Sequence, residues 1–171
     1  MDVKKFKIEL TRIKPNLSNI IENGFSEEYS KKMIINNFVL TERKKTIKTK
    51  SSIEDFCKNY ELEYFNVRNI SFSDILRYIE GYLIVANVDG GYIGLDEATG
   101  VFYNIWADEI ENIYNVFCEN EKQFFEILLI VAEYNSKVIS GKIKFSNDES
   151  REEYIEQCEN IYPLGSYEDL F

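Results

Sequence analysis

Thirty aspartates and glutamates against no histidine set the terms of any chemistry this chain could perform. Carboxylates can serve as general acid and base, as a glycosidase-type pair, or as ligands of a hard cation. Lack of histidine removes the commonest general base and the commonest metal ligand together. A serine or cysteine nucleophile would need an unusual base, and no Gly-x-Ser-x-Gly turn is present. Asp96 and Glu97 are adjacent, but neighbours on a strand point to opposite faces. The acids Asp148-Glu149 and Glu152-Glu153-Glu156-Glu159 lack the spacing and central glycine of a calcium loop, and they read as the solvated face of a helix. Asp89-Gly90-Gly91-Tyr92-Ile93-Gly94 is a hairpin with an extra glycine, not a dinucleotide fingerprint, and there is no P-loop. The expectation is therefore no enzyme, no cofactor and no metal. An enzyme working through carboxylates alone would need two acids converging in one pocket with raised pKa values.

Charge is distributed unevenly. Residues 1–50 carry a balance of +6 and residues 51–171 a balance of −16, for a net charge of −10. Such an acidic body repels nucleic acid and membrane phosphates and steers basic partners towards itself. The plainer reading is that it keeps the protein soluble. The run Arg43-Lys44-Lys45-Thr46-Ile47-Lys48-Thr49-Lys50 reads as a solvated edge strand or loop, since lysine commonly guards strand edges. Neither nucleic acid nor membrane is expected as a partner. Cysteines 57, 118 and 158 are odd in number and form no Cys-x-x-Cys pair, which suits reduced thiols in a cytoplasmic protein. The start shows no signal-peptide pattern, and the longest apolar run, Ile127–Ala132, is far short of the roughly 20 residues of a membrane span.

A length of 171 residues fits one domain, and 44% hydrophobic with 15% aromatic content is ample for a core. The firmest elements lie between Gly81 and Trp106. There, apolar strands meet at Asp89-Gly90-Gly91, and a second turn, Glu97-Ala98-Thr99-Gly100, leads to a third strand. Ser26 followed by Glu27-Glu28 predicts a helix over 26–37, and Ser51 or Ser52 followed by Glu54-Asp55 predicts another over 52–60. Between the two, Phe38–Lys50 reads as an edge strand. Leu62–Phe72 reads as a strand broken near Asn66, and Ser73–Glu80 as a helical turn or loop. Asp108–Cys118 fits either a helix or an extended segment. Asn120-Glu121-Lys122-Gln123 is a capping-box pattern opening an apolar helix through Phe124, Phe125, Leu128, Leu129 and Ala132. A last helix over 150–160 turns Tyr154, Ile155 and Cys158 inward. The tail from Ile161 either docks back or adds to an exposed interface. The fold expected is α+β: one domain over 1–171, with a twisted, mostly antiparallel sheet (meander around 81–106) packed with flanking helices.

In order and spacing, GYLIVANV, the Asp-Gly turn, YIGLD, the Thr-Gly turn, VFYNIW and the helix NEKQFFEILLIV resemble the SUKH superfamily, whose bacterial members are mostly immunity proteins of toxin systems. The likeness is clearest over 81–134. It departs over 1–50, where Phe25–Phe38 supplies a helix without the family's flanking Leu-Pro and Asn-Gly-Gly, and it does not explain the tail after about 145.

The resemblance implies an intracellular, non-enzymatic binding scaffold. It would neutralise a cognate toxin, such as a nuclease with a cationic cleft, in competition between bacteria. A regulatory module that binds a housekeeping protein is the alternative. Asp89, Asp96, Glu97, Asp108 and Glu109 are the acids placed to meet a basic partner surface, and Tyr92, Tyr103 and Trp106 are the aromatic anchors, since interface hot spots favour Trp and Tyr. Against this stand ordinary solvent exposure for the acids and a core or rim role for Trp106. Oligomeric state is open.

Overall fold

The computed structural model describes residues 1–107 and 112–171. Capping side chains start most of the helices. Asp2 accepts from Lys5 N ahead of α1 (Val3–Ile13), and a short α2 (Leu17–Glu22) follows. Ser26 opens α3 (Glu27–Phe38) and Ser51 opens α4 (Ser52–Asn59), each accepting from the backbone N–H three residues on. Asn120 does the same for α5 (Glu121–Ile139) and Asn147 for α6 (Asp148–Glu159). Gln123 reaches back past its cap, accepting from Glu119 N at 2.9 Å where a capping box would return to Asn120.

The strands are β1 (Thr41–Glu42), β2 (Tyr60–Glu61), β3 (Asn66–Val67), β4 (Ile70–Ser71), β5 (Arg77–Ile79), β6 (Tyr82–Val88), β7 (Gly91–Leu95), β8 (Phe102–Ala107) and β9 (Asn112–Cys118). β1 and β2 pair with each other, and the rest form a seven-stranded sheet ordered β3-β4-β6-β7-β8-β9, with β5 also on β6. Every pairing is antiparallel. The fold is α+β, as the sequence predicts.

Three local expectations change and one open alternative is decided. The edge strand over Phe38–Lys50 shrinks to Thr41–Glu42, because Arg43 and Ile47 beyond it bond instead to Asn59. The break expected near Asn66 falls two residues later, at Arg68-Asn69, where β3 turns into β4. Ser73–Glu80 contains strand β5, which draws its backbone partners from β6 and so leaves little local signal. The ambiguous segment is extended over Asn112–Cys118, since pairing with β8 outweighs its helical spacing.

One apolar core joins helices to sheet. Phe6 and Leu10 of α1, Phe56 of α4 and Phe124, Phe125 and Leu128 of α5 pack with Leu83, Val85, Ile93, Leu95 and Phe102. Phe102 and Phe124 stack with centroids 4.6 Å apart. Cutting such a buried ring to alanine costs about 3–5 kcal/mol. A small satellite of Ile20, Phe38 and Ile139 seats α2 and α3. The tail docks back: the Tyr167 hydroxyl donates to the Phe117 carbonyl at 2.9 Å, and Phe171 packs on Tyr134. No helix among the described residues is long and apolar enough to cross a membrane.

Candidate functional site

Register decides which residues share the sheet face away from that core. Side chains directly opposite in an antiparallel pair lie on one face, and every second residue along a strand joins them. Ile84 opposes Gly94, Gly94 opposes Tyr103, Tyr92 opposes Ile105, and Ile105 opposes Tyr114. Tyr82, Tyr92, Tyr103 and Tyr114 are thereby gathered on one face, around Ile84 and Ile105. Both isoleucines are buried, yet they belong to neither core cluster.

Gly94 makes this packing possible. A Cβ there would stand 2.5 Å from Ile105 Cδ1 and 3.0 Å from Tyr82 Cβ. Over that gap the Tyr82 ring meets Tyr103 edge-on at 5.2 Å and stacks on Tyr114 at 5.3 Å. At the β5 side the Arg77 guanidinium lies 4.6 Å from the Tyr92 centroid and is held by Asn87 Oδ1. The Tyr114 hydroxyl donates to Glu80. The result is a half-buried aromatic platform with hydroxyls at its surface, fixed by backbone register and ring contacts.

Of the residues singled out from sequence, Tyr92 and Tyr103 are on this platform. Trp106 is on the opposite face, half-buried against the main core, with its ring over the Gly90-Gly91 turn. Asp89 is exposed in that same turn. Asp96 and Glu97 sit in the β7–β8 turn, at the other end of the sheet, so the acids do not form one cluster. The Asp96 carboxylate accepts from Ala98 N at 2.9 Å and from the Thr99 hydroxyl at 2.7 Å, and these bonds, Thr99 first, lower its pKa. Glu97 is exposed and accepts from the Tyr78 hydroxyl at 2.9 Å, which raises the Tyr78 pKa. Glu97 and Tyr78 border a cavity of about 460 Å³ floored by Ile53, Leu76, Leu83 and Leu95. Asp108 and Glu109 lie outside the described residues. Among the described residues, no three His, Cys, Asp or Glu side chains converge as a metal site would require.

Sequence reasoning missed Tyr82 and Tyr114 as members of the face. The alternations Tyr82-x-Ile84, Tyr103-x-Ile105 and Tyr114-x-Val116 carried the signal, and the Asp-Gly turn could have set the register. No protein family, no curated protein and no solved structure matches this chain.

Proposed function

We propose that this is an immunity-type binding protein that neutralises a cognate toxin by occupying its surface, with the tyrosine platform as the contact. The observation that carries the reading is a sheet face, turned away from the main core, bearing four tyrosines held in mutual register. Tyrosine gives large contact area with few torsions to freeze, and a pre-set backbone reduces the entropy lost on association. The resemblance to immunity proteins over 81–134 supplies the partner class. A balance of −16 over residues 51–171 matches a cationic toxin and would speed encounter with it. The partner is then a toxin with a basic surface, such as a nuclease, bound without catalysis or cofactor.

Co-expression with the toxin encoded beside the gene tests the proposal. Cells should survive with this chain and die without it, and a Tyr92→Ala, Tyr103→Ala double variant should release the toxin at least about tenfold faster. Equal killing with and without the protein would rule out immunity. Capture of a housekeeping protein by the same face would instead favour the regulatory reading.

A further inference from the structure

Neither Arg68 nor Arg151 has an acidic partner within ion-pair distance among the described residues. Arg68 also occupies an unusual backbone position. It is the first of two loop residues between β3 and β4, with φ +57°, where a hairpin ordinarily takes glycine. Its guanidinium is held between rings, 4.8 Å from the Tyr134 centroid and 5.3 Å from that of Phe145.

Several contacts bring the second arginine to the same place. Asn69 Nδ2 donates to the Asp169 carbonyl, and Arg151 Nη2 donates to the adjacent Glu168 carbonyl at 2.8 Å. Tyr134 is next to them, its ring 5.3 Å from Phe171. Three buried polar atoms of these residues have no hydrogen-bond partner among the described residues: the Tyr134 hydroxyl, Arg151 Nε and Asn69 Oδ1. Tyr134 is 0% exposed. Burial chiefly, and then the charge of Arg151, lower the Arg68 pKa. Orphaned polar groups, neighbouring cations and a left-handed arginine each cost stability, and such costs collect where a ligand repays them.

We propose that Arg68, Arg151 and Tyr134 form a binding site for an inorganic phosphate ion, with Asn69 reading its protonated oxygen. The donors are the Arg68 guanidinium, Arg151 Nε and the Tyr134 hydroxyl, all suited to a tetrahedral oxyanion. Asn69 Oδ1 can only accept, so the ligand must offer a hydroxyl. Inorganic phosphate keeps a P–OH at neutral pH, whereas sulfate of the same shape has none. A phosphomonoester on a peptide or nucleotide loses its last P–OH near about pH 6. Free phosphate therefore carries both the acceptors and the donor that the three orphaned atoms lack.

Thermal unfolding at neutral pH, in phosphate and in sulfate of matched ionic strength, tests the site. A saturable rise in Tm with phosphate, absent with sulfate, is expected. Arg68→Gly suits the hairpin backbone, so it should fold normally and lose the phosphate-specific rise. Tyr134→Phe keeps the ring and should weaken phosphate affinity about tenfold. Equal rises in the two salts, or an undiminished phosphate response in Arg68→Gly, would overturn the site. Tighter binding of phosphoserine than of inorganic phosphate at the same pH would overturn the choice of ligand. Toxin neutralisation is read separately, because Tyr134 and Arg151 belong to α5 and α6 and not to the tyrosine face.

Discussion

Asn59 holds Ile47 through both ends of one amide: Ile47 N donates to Asn59 Oδ1 and Asn59 Nδ2 donates to the Ile47 carbonyl, each at 2.8 Å. The second proton of that amide nitrogen goes to Asp55 Oδ1 at 2.7 Å, and Arg43 N donates to the Asn59 carbonyl at 2.8 Å. A buried side chain thus does for the lysine-rich loop what a strand partner would have done. Asn59→Ala should lower unfolding free energy by about 1–3 kcal/mol in urea. Asn59→Asp should cost more, since a second carboxylate would face Asp55. A change within error for both variants would mean that the clamp does not support the fold.

Gly91 and Gly94 should fail differently when given a side chain. At Gly91 the obstacle is backbone, the Ile105 carbonyl oxygen standing against the added Cβ, whereas at Gly94 the nearest atom is the tip of the Ile105 side chain. Gly94→Ala should cost about 1–3 kcal/mol as Ile105 shifts aside. Gly91→Ala should cost more, because β8 itself must move. Urea midpoints in the reverse order would sink this account of the sheet.

The three cysteines make the fold sensitive to alkali. All are buried, and burial pushes Cys57 and Cys158 up to about 12 and raises Cys118 as well. In the unfolded chain a thiol ionises near about 8.5. Their contribution is therefore complete below that pH and is lost as pH rises towards the folded-state values. Each should steepen the fall by up to about 1.4 kcal/mol per pH unit. Unfolding free energy followed from neutral to alkaline pH should decline less steeply in Cys57→Ala than in the parent. Ellman's reagent should find no thiol in the folded protein and three after denaturation.

Asp96 acts at the opposite end of the pH scale. Its folded-state pKa is lowered by Thr99 and Ala98, so its contribution is present above the unfolded value of about 3.9 and is lost as pH falls through the folded one. Asp96→Asn should flatten the acid limb of the stability curve and leave its alkaline limb unchanged. An identical acid limb would show that the turn does not depend on the charge.

Elements with a local mechanism were legible in the sequence. Ser26, Ser51 and Asn120 mark their helices because a cap is a bond between near neighbours, and Asp89-Gly90 marks its hairpin because its glycine supplies a φ of +78°. Elements made by distant partners were not. β5 exists through β6, and β9 carries Ile113, Tyr114 and Phe117 at helical spacing until β8 draws it straight. The helix α1 went unread although Val3, Phe6 and Leu10 recur at its period, because its lysines obscured the stripe. The site divides the same way: Tyr92 and Tyr103 stood out within the meander, while Tyr82 and Tyr114 needed the register of four strands.

Trp106 is the only tryptophan, and its ring lies over the Gly90-Gly91 turn beside Asp89. That position makes it a built-in fluorescent reporter for one end of the sheet. A partner seated over the Asp89 turn would dry the indole and shift its emission to the blue. A partner confined to the Glu97 turn would leave the spectrum as it is. Unlabelled protein and a fluorimeter are therefore enough to tell whether a bound toxin covers the Asp89 end of the sheet.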